Sequence, residues 1–269
     1  MELLDQILAT DTNYILVVLV ISFFMMEMFF NQKVRVGSKL NHFFQNILFQ
    51  LLAIAMGGLL GLMIVSTFNW MDTYHIGLFN WIEVPYWFKI VAGVFLLDLA
   101  DYWFHRWDHK VPLFWRQHRV HHSDTSMDAS TALRGFPTDI IYFTVGELSM
   151  ALIFGLDIMS LNLFLFLFLP VSFIHHANLN YPAWVDPVFG WFFVTPNYHK
   201  VHHEQDQFYT DSNYGTLFII WDKLFGTFKT KPVAEINYGL KEFEGNKKQS
   251  FLYLIRSPFM NIKQVLDEE

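Results

Sequence analysis

Five stretches of the chain stay apolar far longer than a core strand or an amphipathic surface helix needs, and the polar positions gather between and after them. Tyr14–Phe30 is interrupted by charge only at Glu27, and Phe43–Phe68 carries no charge at all. Tyr86–Phe104 holds Asp98 and Asp101 in its later half. Ile140–Gly155 and Ile158–Ile174 form a closely joined pair around Asp157. Runs of roughly 17–25 apolar residues match the hydrocarbon thickness of a bilayer. Within Leu161–Leu169 leucine and phenylalanine alternate. Period two suggests a strand, but a segment apolar on every face fits a lipid-facing helix better. The pattern predicts an all-α, multi-pass membrane bundle of about four to five spanning helices, the last two a tight hairpin.

The remainder reads differently. Asn178–Thr227 is rich in aromatics, prolines and glycines, with no run long enough to span; Pro187–Thr195 is apolar but short and is expected at the interface or half-buried. From Lys229 a polar tail is expected, with a weakly amphipathic helix over 250–266 interrupted by Pro258. The chain divides into N-terminal spanning helices (1–85), a central region (86–240) that holds most of the histidines, and a C-terminal tail (241–269), integrated in one domain.

Composition and charge agree with a membrane setting. Hydrophobic residues make up 53% and charged residues 16%, with a mean hydropathy of +0.28; soluble domains carry about 25% charged residues. If the first helix runs inward, the loop 31–42 with Lys33, Arg35 and Lys39 is cytoplasmic. The loop 69–85, without Lys or Arg, falls outside. Arg106, Lys110, Arg116, Arg119 and Arg134 then lie inside, as does everything after His175. Only Lys89 lands near the outer face, as the positive-inside rule asks. The N-terminus has acidic Glu2, Asp5 and Asp11 but no basic leader, so an uncleaved anchor is expected. The absence of cysteine excludes disulfides, iron–sulfur clusters and thiolate haem ligation. A net charge of −7 argues against nucleic acid, and neither a GxGxxG nor a P-loop occurs.

Histidine carries the chemistry. His105 and His109, then His118, His121 and His122, then His175 and His176, then His199, His202 and His203 form four clusters, all on the side assigned to the cytoplasm. Residues three and four apart share a helix face, so each cluster can aim imidazoles at one point. Eight or more neutral nitrogens are about twice what one tetrahedral ion takes; a two-metal site in a histidine-rich cytoplasmic cap is expected. His175 and His176 point about 100° apart on a helix, so one of them is expected to ligate and the other to bond or pack. His42 and His75 stand alone and read as satisfied polar residues. Asp98 and Asp101 lie on the His105 stripe of the third helix and are expected behind the ligands, with Asp101 placed to orient His105. Glu147, Asp211 and Asn213 are further candidates for that outer layer. Arg106, Arg116 and Arg119 read as interfacial anchors.

HRWDH (105–109), HRVHH (118–122), HHAN (175–178) and TPNYHKVHH (195–203), followed by DSNYG (211–215) and WDKLFGT (221–227), resemble the eight-histidine signature of the fatty acid hydroxylase/sterol desaturase superfamily. The resemblance covers about residues 86 to 240. It implies a non-haem di-iron enzyme of the bacterial inner membrane or endoplasmic reticulum, with O2 as co-substrate. The substrate it implies is a bilayer lipid such as a sterol or fatty acyl chain, hydroxylated or desaturated. It also implies His176 as the ligand in the third cluster. No cytochrome b5-like domain is visible, so electrons are expected from an external donor: a small ferredoxin or cytochrome carrier with its reductase, met by Lys110, Arg116, Arg119 and Lys200. Two rivals stand beside this reading. A dizinc hydrolase would want carboxylates at ligand spacing, and few are present. A metal transporter or sensor would spread its histidines across the bilayer.

Overall fold

An apolar run set in hydrocarbon, where no water reaches the backbone, can bond its N–H and C=O groups within its own segment only as a helix. The computed structural model describes residues 12–33, 38–263 and 265; the acidic residues of the first eleven positions and Arg35 lie outside them. Five long helices cover the five runs: α1 (Thr12–Phe29), α2 (Lys39–Thr73), α4 (Tyr86–Lys110), α6 (Asp139–Phe154) and α7 (Ile158–His176). Among the described residues there is no β-sheet, only three isolated bridges. Two helical segments, the one beginning at Lys39 and α7, are long and apolar enough to cross a membrane by length and composition; Tyr14–Phe29 is a shorter apolar helix.

Local chemistry sets the helix ends. Ser38 caps α2 by accepting from the Asn41 N–H, and Asp157 caps α7 by accepting from Met159. α6 stops at Gly155, whose φ of 65° is left-handed. The short α3 (Leu78–Trp81) follows Gly77, and there the two connections touch: a Cβ at Gly77 would lie 2.0 Å from the Gly155 nitrogen.

One core cluster joins α4, α6 and α7 through Val94, Leu97, Leu148, Ala151, Leu161 and Phe164, with Leu217 and Phe218 from much later in the chain. Outward-facing residues of α2 such as Leu59 and Leu62 stay 72% and 76% exposed, as a lipid-facing surface would be.

Between α4 and α6 lies α5 (Pro112–His122); α8 (Val185–Phe189), α9 (Pro196–His202), α10 (Gln207–Thr210), α11 (Ile220–Leu224) and α12 (Phe251–Leu254) follow α7. The segment after Lys229 is not a free tail. Ile236, Leu240, Phe243 and Leu254 are buried, and all but Ile236 pack with Phe49 of α2, Val120 of α5 and Phe136. Arg119 donates to the carbonyls of Ser257 (2.7 Å) and Ile262 (3.3 Å), and Arg116 to Met260 (3.0 Å). Among the described residues, the helix expected over 250–266 is reduced to α12 and a 3-10 turn, Ser257–Phe259. Pro258 would drive its ring against the carbonyl of Leu254, the residue at which α12 ends.

Candidate metal centre

Four helix ends converge on one point. α4 delivers His105 and His109 from its last turns. Val111 is extended, and Pro112 restarts the chain as the first residue of α5, which carries His118, His121 and His122. α7 ends in His175 and His176. Thr195 caps α9 by accepting from Tyr198, with Pro196 in the first turn, and α9 brings His199, His202 and the capping His203.

The rings sort into two groups. His105, His109, His118, His122 and His202 place one nitrogen each within 4.8 Å of one another; His121, His176, His199 and His203 do the same. His176 Nε2 lies 3.0 Å from His121 Nε2, 3.1 Å from His203 Nε2 and 3.0 Å from His199 Nε2. Nitrogens at such separations can share a cation at the usual metal–imidazole distance of about 2.0–2.1 Å.

Backbone carbonyls decide which nitrogen faces inward. His105 Nδ1 donates to the Tyr214 carbonyl (2.8 Å), His202 Nδ1 to Ser212 (2.7 Å) and His176 Nδ1 to Ser172 (2.7 Å). A carbonyl only accepts, so each Nδ1 carries the hydrogen and each Nε2 presents a bare lone pair. Buried lone pairs aimed at one another are costly unless something positive lies between them. The Nε2 atoms of His109 and His202 have no hydrogen-bond partner among the described residues. The donor set therefore fits cations, and an all-imidazole shell without thiolate suits iron, zinc, copper or nickel.

Electrostatics agree. Burial, and then the neighbouring rings, hold His118, His122, His199, His202 and His203 well below the usual histidine range, and His121 likewise. Neutral imidazole is the ligating form. Behind the rings, Asp211 lies 3.3 Å from His109 Nδ1 and also binds Lys110 (2.6 Å). Burial opposes the ionised form of Asp211, but those two partners outweigh it and keep its carboxyl below the ordinary value.

The remaining expected residues take other places. His175 lies outside both groups, donating from Nε2 to the Val194 carbonyl (3.0 Å) and stacking on His199. His105 is oriented by Tyr214 and not by Asp101, which is buried with its Oδ1 unpartnered among the described residues. Asp98 accepts from Leu217, Phe218 and Trp221 rather than from a histidine. Asn213, with a φ of 52°, ties α9 to the returning chain by donating to the Tyr198 and Lys229 carbonyls. His42 binds Asp124 through Nε2 at 2.8 Å, and Arg106 reaches the Tyr102 hydroxyl. Two of the four cations expected to meet a carrier are not at the surface. Lys200 is 1% exposed and donates to Gln32 (2.7 Å) and the Leu179 carbonyl (3.0 Å), and Arg119 is 5% exposed under the C-terminal segment. Chain distant in sequence covers both, the segments at Gln32 and Leu179 over Lys200 and the segment 257–262 over Arg119.

Sequence reasoning passed over several neighbours of the site. Asp108 is buried 3.5 Å from His118 Nδ1. It stands inside HRWDH, so its position was the available signal. Asp124, held ionised by Arg134 and His42 against the cost of burial, follows HRVHH by two residues. The Tyr214 and Ser212 carbonyls are backbone and leave no side-chain signature.

Residues 90–227 match the fatty acid hydroxylase family model. The alkylglycerol monooxygenase of Homo sapiens is 33% identical over 177 residues, covering 64% of this chain and 38% of that protein. An ornithine lipid hydroxylase of Rhizobium tropici is 27% identical over 181 residues, covering 65% of this chain and 51% of that protein. A very-long-chain aldehyde decarbonylase of Oryza sativa subsp. japonica is 28% identical over 158 residues, covering 57% of this chain and 58% of that protein. The chain thus spans well under two thirds of the length of these relatives. No solved structure matches it. The family match takes in a little over half of the chain and encloses all four histidine clusters, and the chain belongs to the fatty acid hydroxylase family.

Proposed function

We propose that this chain is an O2-dependent membrane oxidoreductase that hydroxylates, or desaturates, a bilayer lipid with a pair of iron ions. The observation that carries the reading is the sorting of nine imidazoles, most of them buried, into two adjoining groups where the helix ends converge. His105, His109, His118, His122 and His202 would hold one ion and His121, His176, His199 and His203 the other. Bound there, the iron pair would supply the oxidation of an unactivated C–H bond by O2, chemistry that no side chain performs alone. The protein's own part is to fix the rings through the Tyr214, Ser212 and Ser172 carbonyls and to keep water out by burying them. Relatives named for alkylglycerol and ornithine-lipid oxidation support a substrate with a long alkyl or acyl chain.

The topology that suits this role has α1, α2, α4, α6 and α7 all spanning, with the histidines on the cytoplasmic side. Exposed Trp70, Tyr74, Trp81, Tyr86 and Trp87 at the opposite end fit an aromatic interfacial belt. In this arrangement residues 1–85 embed the catalytic region 86–240, and 241–269 form its outermost layer. Electrons come from a separate small carrier. Its landing face is centred on Lys110 and Arg116, where a cavity of about 250 Å3 lined by Trp115, Gln205 and Asp211 opens onto His109.

Protein purified without chelator tests the reading by metal analysis and oxygen uptake. Two irons per chain are expected, with O2 consumed only when lipid and a reductase–carrier pair are both present. Zinc instead of iron, together with lipid turnover under anaerobiosis without a donor, would overturn it in favour of hydrolysis.

A further inference from the structure

Asp98 is completely buried in the middle of α4 and touches no histidine. It sits seven residues from His105, about 10 Å along the helix. Its carboxylate accepts from Leu217 N (2.7 Å), Phe218 N (3.1 Å) and Trp221 Nε1 (2.8 Å). These donors belong to chain that has left α9 and α10 and come back alongside α4. One turn deeper, Phe95 stacks on Phe218 with ring centroids 4.3 Å apart and meets Phe192 at 6.0 Å. Phe95 lies about 15 Å along α4 from His105.

The outgoing and returning strands of this excursion are bonded to each other. Val194 N donates to Leu217 O (2.9 Å) and Ile219 N to Phe192 O (3.0 Å). Beside this pairing, the Lys223 ammonium donates to the carbonyls of Gly190 (2.7 Å) and Trp191 (3.1 Å). Asp98 thus supplies acceptors to stray N–H groups, and Lys223 supplies donors to stray C=O groups. Irregular backbone persists at bilayer depth only when its polar groups are closed within the protein in this way. The outer face is apolar and bare: Trp184, Phe189, Trp191, Phe193 and Leu224 are 44–68% exposed.

We propose that the two bonded segments 190–194 and 215–224, on either side of α9 and α10, form a re-entrant lobe immersed among lipid acyl chains, and that Asp98 is the residue that pins it there. The inference rests on the reading that α4 spans the bilayer. Trp191 and Lys223 take the level nearest the headgroups, where a long cationic stem can snorkel, while Phe192 and Phe218 reach toward mid-membrane. Both segments of the lobe run into the metal centre. Val194 precedes the cap of α9 and holds His175, and Tyr214 holds His105.

The absence of native cysteine allows single labels. Trp191→Cys and Phe193→Cys carrying an environment-sensitive fluorophore are reconstituted into phosphatidylcholine vesicles, with doxyl-labelled lipid or aqueous iodide as quencher. Leu62→Cys on the exposed face of α2 is the lipid control and Phe208→Cys on α10 the aqueous control. Both lobe labels are expected to follow Leu62→Cys, quenched by doxyl lipid and spared by iodide. Adding Asp98→Ala should raise iodide quenching at residue 193 several-fold without altering residue 62; Asp98→Asn, which keeps one acceptor, should give an intermediate. Iodide quenching of the lobe at the level of Phe208→Cys would overturn the proposal. So would shielding from both quenchers, which would assign the face to a second copy of the chain. If Leu62→Cys is itself open to iodide, the spanning reading falls and the lobe with it.

Discussion

The ring of His105 donates to the backbone carbonyl of Tyr214, a residue 109 positions further along the chain, at 2.8 Å. Asp222 fixes that carbonyl in turn by accepting the N–H groups of Tyr214 and Gly215, both at 2.8 Å. A Cβ at Gly215 would fall 2.7 Å from the Phe218 carbonyl and 2.9 Å from Asp222. Gly215→Ala must therefore shift Tyr214. Metal titration of the stripped protein is expected to show affinity lowered by roughly 10–100-fold, the usual effect of losing a group that orients a ligand, with membrane insertion intact. Unchanged affinity would free His105 from any dependence on this turn.

Removing one imidazole from each group should act on one ion each. His202→Ala is expected to reduce bound metal from two ions to one, and His199→Ala to remove the other. His175→Ala should retain both, since its Nε2 faces Val194. Loss of both ions from either of the first two variants would mean that the groups form a single site.

The buried rings also set a pH dependence for the metal-free protein. His118, His121, His122, His199, His202 and His203 titrate well below the ordinary value of 6.5 when folded. The unfolded chain binds their protons near pH 6.5 and the folded chain does not. Stability is therefore complete above about pH 6.5 and falls below it, by up to ~1.4 kcal/mol per pH unit for each histidine. Asp124 and Asp211, held low, lose their contribution only in the acid range near 3.8 and below. Thermal unfolding in detergent should show the melting temperature dropping between about pH 6.5 and pH 5; a flat profile would contradict the burial of neutral rings.

Lys200 belongs to the interior, where burial pulls its ammonium down to about 8. Lys200→Met keeps the stem but strands the Gln32 and Leu179 oxygens, and is expected to cost about 1–3 kcal/mol. The salt dependence of carrier-driven turnover should not change. Arg116→Ala should do the reverse, weakening the salt dependence with little loss of stability.

The orientation can be mapped with two thiols on exposed positions. Thr73→Cys should react with an impermeant reagent from outside the cell, whereas Lys247→Cys should react only after the membrane is opened. The opposite pattern would invert the topology and leave the clustering untouched.

The five long helices and the convergence of the clusters were legible because both are encoded locally. A helix shows its lipid-facing length as an unbroken apolar run, and ligands three and four residues apart share a face whatever surrounds them. The burial of Lys200, the packing of the segment after Lys229 and the task of Asp98 were not legible. Each depends on chain more than a hundred residues away or on a partner that leaves no periodic trace.

The sequence by itself determined which histidines fall into clusters whose members share a helix face, and the structure brings those clusters together. The sequence did not determine how they pair. His121 and His122 are neighbours, yet they fall in different groups, and His202 and His203 divide in the same way. Adjacent residues on a helix point about 100° apart, so each HH pair addresses two centres, and only the packing of α4, α5, α7 and α9 decides which rings meet. The same packing chose the Tyr214 carbonyl over Asp101 to orient His105 and released Asp98 to hold a distant loop. Backbone groups and buried carboxylates find their partners through three-dimensional proximity, which no spacing along the chain records.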